Sequence, residues 1–306
     1  MDYSQNLNKI LDIAIKEDAS DLIISANHPP VIRVTGKLIT LVKEKKISPA
    51  DSKGLAFALL DESKKNKLLQ EKEVDFSYDY ESKERFRVNA FFQRGNVSLA
   101  LRLISSKIRT IEELNLPPVL HEFTKKNQGL LLVTGASGQG KSTTLAALID
   151  EINHTRAFHI ITIEDPIEYV YKNDKAVVEQ REVSLDTNSF ANALRASFRQ
   201  NPDVIMVGEM RDLETISTTI TAAETGHLVF ATLHTSSAPQ AIHRIIDVFP
   251  SEQQNQIRFQ LASSLLGVVA KRLIPRTSGG FVPACEVMIC NTAVANLIRE
   301  NKIHEI

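Results

Sequence analysis

The chain has 306 residues, 43% of them hydrophobic, which is enough to bury a sizeable core and favours two domains over one. Because 36 basic residues stand against 37 acidic ones, the chain lacks the strong positive charge typical of proteins that bind nucleic acid or anionic lipid. Its two cysteines, Cys285 and Cys290, are too few for a disulfide framework or a four-cysteine zinc site, so we expect small buried apolar residues there.

The N-terminus carries no signal of secretion or membrane insertion. The opening residues MDYSQNLNK contain no apolar run after a basic cluster, and no segment offers about 18 consecutive apolar residues. We therefore expect a cytoplasmic protein, which is compatible with docking on a membrane complex.

Residues 1–105 predict a small α+β domain. A first helix, ending near Asp18, is indicated by apolar residues at helical spacing, namely Leu7, Ile10, Leu11, Ala14 and Ile15. Ser48 as an N-cap and Pro49 at the first helical position indicate one or two further helices that reach about Lys72. Apolar and aromatic runs between turn residues predict strands at 22–25, 31–34, 38–42, 74–80, 85–93 and 97–104.

The pattern changes after a predicted linker at 106–121, where Leu116-Pro117-Pro118 cannot continue a helix or a central strand. In residues 122–306, helical stretches alternate with apolar runs at 130–134, 160–163, 204–207 and 228–232, which is typical of a parallel sheet covered on both faces. Ser251 and Gln254 form a capping box that predicts a long helix toward Arg272, and a last helix is expected near 291–300. The second domain is therefore predicted to be α/β.

The segment GASGQGKS, residues 135–142, satisfies the pattern G-x-x-x-x-G-K-[ST] between a predicted strand and a predicted helix. Glycines let backbone N–H groups wrap an anion, Lys141 adds a charge for the β and γ phosphates, and the Ser142 hydroxyl suits a magnesium ion. We predict that ATP and Mg²⁺ bind here. The residues expected to contact them are Gly135, Ala136, Ser137, Gly138, Gln139, Gly140, Lys141, Ser142 and Thr143.

Two carboxylates follow apolar strands and are candidates for catalysis. Glu209 ends the run that starts at Asp203, and it is placed to hold magnesium, partly through water, or to orient the attacking water. Glu164 is the candidate general base, with Asp165 and Glu168 shaping its loop. The ordinary alternatives are a surface glutamate at a strand end and a solvated acidic loop.

Histidines flank the run at 228–232. His234 lies at the end where ligands bind and is a candidate sensor of the γ-phosphate. For His227, a role in satisfying a buried backbone group is an equally good explanation.

Arginines crowd the last predicted strands of the first domain, at positions 85, 87, 94 and 102. Two interpretations stay open: a solvated face of the sheet, or an arginine clamp in which Arg87 and Arg94 reach a nucleotide held by the second domain. Arg195, Arg199 and Arg211 are further candidates, each equally well explained by a salt bridge.

Four motifs together resemble the PilT family of pilus retraction ATPases, within the secretion ATPase superfamily. They are a Walker A loop at 135–142, an Asp box at 161–168, a Walker B segment at 208–212 and a His box at 225–234. The Walker A loop has Ala136, Ser137 and Gln139 where the family commonly has Pro, Thr and Ser. Residues 293–300 resemble the retraction-type AIRNLIRE segment, with Val294 and Ala295 replacing Ile and Arg.

The resemblance implies a RecA-like P-loop NTPase domain preceded by a smaller PAS-like α+β domain, in an overall α/β fold. It further implies a homohexamer that hydrolyses ATP to power type IV pilus retraction and twitching motility. The partners would be an inner-membrane platform protein at the base of the pilus and, indirectly, pilin, with no nucleic acid.

Three other functions compete with this one. The first is an accessory retraction ATPase similar to PilU. The second is a RecA-like ATPase that depends on nucleic acid, against which the near-neutral charge and the absence of tryptophan argue. The third is a nucleotide-regulated protein that does not hydrolyse ATP, which the presence of Glu164 and Glu209 disfavours.

Overall fold

The computed structural model describes residues 2–80, 84–104, 107–277 and 280–306. Contacts divide the chain into a first unit, Met1–Ser106, and a second unit, Lys107–Ile306. No helix in the described part of the chain is both long and apolar enough to cross a membrane.

The first unit packs helices against an antiparallel sheet. The helices are α1 (Tyr3–Lys16), α2 (Pro49–Leu59) and α3 (Glu62–Glu71). The strands are β1 (Asp21–Ile24), β2 (Val31–Val34), β3 (Lys37–Thr40), β4 (Glu73–Tyr80), β5 (Glu84–Gln93) and β6 (Asn96–Ile104). Their order in the sheet is β3-β2-β1-β6-β5-β4, with antiparallel neighbours.

Local sequence signals explain these elements well. Helix α1 buries one face, made of Leu7, Ile10, Leu11 and Ala14, as its spacing predicts. The Ser48 hydroxyl accepts a hydrogen bond from the backbone N–H of Asp51, and Pro49 opens α2, so the predicted helix start is confirmed. All six predicted strands are present, within two residues of their predicted ends.

The second unit is a seven-stranded sheet flanked by helices. Its strands are β7 (Gly129–Thr134), β8 (His159–Glu164), β9 (Val177–Glu182), β10 (Val204–Val207), β11 (Leu228–Leu233), β12 (Leu265–Pro275) and β13 (Phe281–Ile289). Its helices are α4 (His121–Thr124), α5 (Lys141–Thr155), α6 (Phe190–Ser197), α7 (Leu213–Glu224), α8 (Ala238–Asp247), α9 (Ser251–Ser264) and α10 (Thr292–Arg299).

The strand order is β13-β12-β7-β11-β10-β8-β9, and every neighbouring pair is parallel except β12 and β13. Strands β7, β10 and β11 are buried along their whole length, as near-continuous apolar runs predict for the centre of a parallel sheet. The predicted α/β fold class is therefore confirmed.

The predicted helix from Ser251 to Arg272 is wrong in its second half. Helix α9 ends at Ser264, and the chain then forms β12, an internal strand paired with β7 on one side and β13 on the other. Val268 and Val269 are fully buried and β-branched, which suits a central strand better than a helix. The capping box is also absent, because Pro250 occupies the N-cap and Ser251 is already helical.

The segment predicted as a linker at 106–121 differs as well. Its described residues belong to the second unit, where Ile111, Leu114, Leu116 and Leu120 are buried in the core beneath α5 and β7. The two prolines lead into a short 3₁₀ helix, Pro118–Leu120, which needs no N–H from its first residue. Burial of its apolar side chains thus anchors this irregular segment to the core of the second unit.

Candidate nucleotide site

The sheet of the second unit gathers the predicted site residues at one edge. Strands β7, β8, β10 and β11 are parallel neighbours, so the segments that follow them emerge at the same edge. Gly135 follows β7, Glu164 ends β8, Glu209 lies two residues beyond β10, and His234 follows β11. Four segments far apart in sequence therefore meet at one location.

The phosphate loop, residues 135–142, has the backbone geometry that glycine permits. Gly135, Gly138 and Gly140 have φ angles of 146°, 75° and 76°. A Cβ atom on Gly135 would lie 2.5 Å from the carbonyl oxygen of Lys271, so no other residue fits there. Gly140 is the N-cap of α5 and no described side chain caps it, which leaves the first N–H groups of the helix available to an anion.

The Lys141 ammonium lies over this loop. Its Nζ donates hydrogen bonds to the carbonyl oxygens of Gly135 at 2.8 Å and Ala136 at 3.1 Å. Burial lowers the pKa of Lys141, and the negative charges of Glu209 and Glu168 partly oppose that shift. An ammonium has three N–H donors, so the third can serve a ligand or the nearby His234 ring.

Glu209 is held by two partners. His234 Nε2 lies 2.9 Å from its Oε1, and Arg211 Nη2 lies 2.8 Å from its Oε2. Burial raises the pKa of Glu209, but hydrogen bonds from Arg211 and His234, together with the positive charge of Arg211, outweigh burial and lower the pKa overall. The carboxylate is therefore ionised at neutral pH and fixed in direction.

Glu164 has the opposite electrostatic character. It is buried, and burial raises its pKa from 4.5 to about 7 although hydrogen bonds to the carboxylate partly oppose the shift. Oε1 accepts hydrogen bonds from Thr162 Oγ1 at 2.7 Å and from Gln180 Nε2 at 3.1 Å, while Oε2 lies 3.4 Å from the backbone nitrogen of Glu168. A carboxyl with a pKa near 7 can accept a proton under physiological conditions.

Oxygen donors that suit magnesium are present at this edge. Ser142, in the first turn of α5, offers a hydroxyl, and Glu209 offers an ionised carboxylate. Magnesium prefers hard oxygen ligands, and it commonly combines one or two protein oxygens with water and phosphate oxygens. The donor set therefore fits this ion.

The remaining candidate residues have other surroundings. His227 Nδ1 lies 3.0 Å from the carbonyl oxygen of Ala222, and its ring packs edge-on against Phe198, in agreement with a structural role. Arg195 pairs with Glu214. Thr143 Oγ1 lies 2.9 Å from the hydroxyl of Tyr169, which ties α5 to the acidic loop.

Arg87 and Arg94 belong to the first unit. Arg87 is exposed on β5, directly opposite Arg102 of β6. Arg94 has a φ angle of 49° in the two-residue turn that joins these strands. Their predicted action on a nucleotide stays a prediction.

A family model described as Type II/IV secretion system protein matches residues 3–304. The chain belongs to this family. Over 301 residues it is 46% identical to the Type IV pilus retractation ATPase PilT of Pseudomonas aeruginosa, a match that spans 97% of this chain and 86% of that protein. It is 40% identical to the Type IV pilus ATPase PilU of the same organism, over 97% of this chain and 78% of that protein.

A solved structure of a family member agrees with these matches. The crystal structure of the pilus retraction motor PilT with bound ADP has a TM-score of 0.93 and 50% identity, and the match covers 97% of this chain and 87% of that one. The resemblance predicted from the four motifs is thus confirmed, as is the fold class. A site for nucleotide is consistent with the ADP in that relative.

Several residues of the candidate site in the present chain were not predicted from the sequence. Thr162 carries a weak signal, since it is the polar position inside the otherwise apolar strand β8. Gln180 on β9 contacts Glu164, and Lys271 on β12 contacts the phosphate loop. The last two lie on β9 and β12, strands that no local sequence pattern indicated.

Proposed function

We propose that this chain hydrolyses ATP to ADP and phosphate and that, as a homohexamer, it powers the retraction of type IV pili. The observation that carries the proposal is the meeting of Lys141, Glu164, Glu209 and His234 at one edge of the sheet. Similarity to PilT over 97% of the chain supports the same function.

Binding of the polyphosphate depends on the phosphate loop. The N–H groups at the start of α5 and the positive end of its dipole attract negative charge. The Lys141 ammonium adds a full charge beside the loop, and its third N–H donor lies near His234. These groups hold the β and γ phosphates in line for attack by water.

Proton transfer is the task of Glu164. The attacking water must lose a proton as its oxygen bonds to the γ phosphorus, while the bond to the β-phosphate oxygen breaks. Glu164 accepts that proton because burial keeps its pKa near neutral pH. Thr162 and Gln180 hold the carboxyl group in place through its Oε1.

Ser142 and Glu209 would hold magnesium, Glu209 partly through water, and the bound ion would neutralise charge on the β and γ phosphates. Contacts with His234 and Arg211 fix the orientation of the Glu209 carboxylate for this role. His234 also lies beside Lys141, so it is placed to respond to the γ-phosphate through both neighbours.

Coupling to force requires that ATP and ADP favour different arrangements of the protein. We propose that Arg87 and Arg94 supply this difference by contacting the γ-phosphate, which ADP lacks. Each hydrolysis event would then alter contacts around the ring. The hexamer would act on an inner-membrane platform protein at the cytoplasmic base of the pilus, and through it on pilin.

An accessory role like that of PilU is a second candidate, favoured by the 40% identity to PilU. Gene deletion followed by complementation distinguishes a retraction motor from an accessory ATPase. A retraction motor restores twitching on its own to a strain that lacks all its retraction ATPases, whereas an accessory ATPase restores twitching only when a principal motor is also supplied.

The enzymatic core of the proposal is tested with Lys141→Ala and, as a matched control, Lys126→Ala, which removes an exposed lysine of the second unit. ATP hydrolysis and ADP affinity are measured on folded protein. Lys141→Ala should lose ATPase activity by about 10²-fold or more, and the control should retain it. Wild-type turnover in Lys141→Ala, or ATPase activity stimulated by DNA but not by a platform protein, would contradict the proposal.

A further inference from the structure

A second lysine contacts the phosphate loop from strand β12. Lys271 lies on β12 and is only 6% exposed. Its Nζ donates hydrogen bonds to the carbonyl oxygen of Gly140 at 3.0 Å and to Oγ1 of Thr144 at 2.8 Å. Its own carbonyl oxygen occupies the space beside Gly135 that a side chain there would need. One residue therefore contacts both ends of the loop.

The Lys271 ammonium has no carboxylate partner among the residues that the structure describes. Burial lowers its pKa, the facing Cys285 on β13 opposes that shift, and the positive charge of Arg109 adds to it. A buried cation without a counter-charge costs free energy. An anion in the phosphate loop would lower that cost, since it would lie on the other side of Gly140.

We propose that Lys271 is a positioning residue of the nucleotide site. Acting through Gly140 and Thr144, it fixes the start of α5 and supplies a second positive charge for the polyphosphate of a nucleoside di- or triphosphate. This inference rests on the proposed function, because it takes residues 135–142 as a polyphosphate site.

A second contact from the same strand supports this role. Strand β7 ends at Thr134 opposite Ala270, so β12 continues past its parallel partner. The backbone N–H of Leu273 then donates a hydrogen bond to Oε1 of Gln139, at 2.6 Å. Strand β12 thus contacts the loop at Gly135, Gln139 and Gly140.

The test compares Lys271→Met with Arg272→Met. Methionine keeps the length of the side chain and removes the charge, while Arg272 is the exposed next residue of the same strand. Melting curves with and without ADP, the Kd for ADP by calorimetry, and KM and kcat for ATP are measured on the full chain. The wild-type protein is measured first.

For Lys271→Met we expect the Kd for ADP and the KM for ATP to rise about tenfold, as for loss of a charged hydrogen bond. We expect kcat to change by less than about threefold, because the lost interaction binds the ground state and the transition state about equally. The melting temperature without ADP should stay equal or rise, since an unpaired buried charge is removed, and the shift caused by ADP should shrink. Arg272→Met should match the wild type.

A purely structural lysine gives a different result. The melting temperature without ADP would fall, and the Kd for ADP would stay within about threefold of the control; that outcome overturns the inference. If Lys271→Met does not fold, Lys271→Gln, which keeps an N–H donor and loses the charge, is judged by the same Kd criterion. A wild-type chain that binds no ADP would instead refute the proposed function.

Discussion

His234 Nε2 lies 2.9 Å from Oε1 of Glu209, and the other nitrogen of the same ring, Nδ1, lies 3.4 Å from Nζ of Lys141. The imidazole therefore joins the carboxylate after β10 to the lysine of the phosphate loop. A tautomer with the proton on Nε2 donates to Glu209 and accepts from Lys141, which satisfies both contacts. His234 is thus the group through which the two motifs contact each other.

Replacing His234 with alanine should lower kcat by about 10²-fold, because Glu209 and Lys141 each lose a partner that fixes their direction. The Kd for ADP should change much less, since the loop and Lys141 remain. Steady-state ATPase assays and calorimetry measure the two quantities. His243→Ala, which removes an exposed histidine of α8, is the control and should behave as the wild type. Equal losses of kcat in both variants would show that the contact with Glu209 is unimportant.

The stability of the protein should depend on the ionisation of Glu164. Below pH 4.5 the carboxyl is protonated in the folded and the unfolded chain. Between pH 4.5 and about 7 the unfolded chain loses this proton while the folded chain keeps it, so the free energy of unfolding falls as the pH rises. Above about pH 7 the free energy of unfolding stays lower than below pH 4.5, by about 3 kcal/mol for a pKa shift of this size.

Glu164→Gln removes this dependence. Compared with the wild type, the variant should therefore gain stability as the pH is raised from 4.5 to 8. Urea unfolding at several pH values measures the difference, and Glu252→Gln, an exposed position on α9, controls for charge alone. If the free energy of unfolding differed between Glu164→Gln and the wild type by the same amount at every pH, the raised pKa of the buried Glu164 would be contradicted.

The hydrogen bond from Thr162 to Glu164 should be visible in the pH dependence of kcat. With Glu164 as the base, kcat falls as the pH drops below the pKa of this carboxyl, about 7. Thr162→Val keeps the shape of the side chain but removes a donor that stabilises the ionised form. The pKa should rise by about one unit, so that activity at pH 7 falls and recovers in alkaline solution.

Thr218→Val is the matched control, because its hydroxyl donates only to a backbone carbonyl on the exposed side of α7. Its pH profile should coincide with that of the wild type. If Thr162→Val reduced kcat by the same factor at every pH, its role would be packing of β8 rather than control of Glu164.

Much of the nucleotide site could be predicted because its signals are local. The phosphate loop is continuous in sequence, and Glu164, Glu209 and His234 each stand at the end of an apolar run. Parallel strands bring such ends to the same edge of the sheet. Strands of the first unit were predictable for a similar reason, since short turns separate β2 from β3, β4 from β5 and β5 from β6.

The contribution of β12 could not be predicted in this way. The run that contains Val268 and Val269 follows a helix without a break, so its pattern is compatible with a continued helix. Pairing with β13 and with β7, more than 130 positions earlier, makes it a strand and brings Lys271 to the loop. The same holds for Gln180, whose partner Glu164 lies on the neighbouring strand β8.

The two explanations for the arginines of the first unit make different predictions for Arg87. This residue faces Arg102 across β5 and β6, and Arg102 is paired with Asp21 at 3.0 Å. Arg87 itself forms no ion pair within the described residues. Removing one of two facing like charges should not destabilise the sheet, so Arg87→Ala should melt at the wild-type temperature or slightly above it.

If Arg87 acts on the γ-phosphate, Arg87→Ala should lower kcat by about 10³-fold and leave the Kd for ADP unchanged, because ADP lacks that phosphate. Arg94 is tested as Arg94→Asn, since asparagine tolerates its φ angle of 49° in the turn. Lys37→Ala, an exposed change on β3, is the control for the first unit. Full ATPase activity in both arginine variants would mean that these side chains form a solvated face, and the coupling of hydrolysis to movement would then need another source.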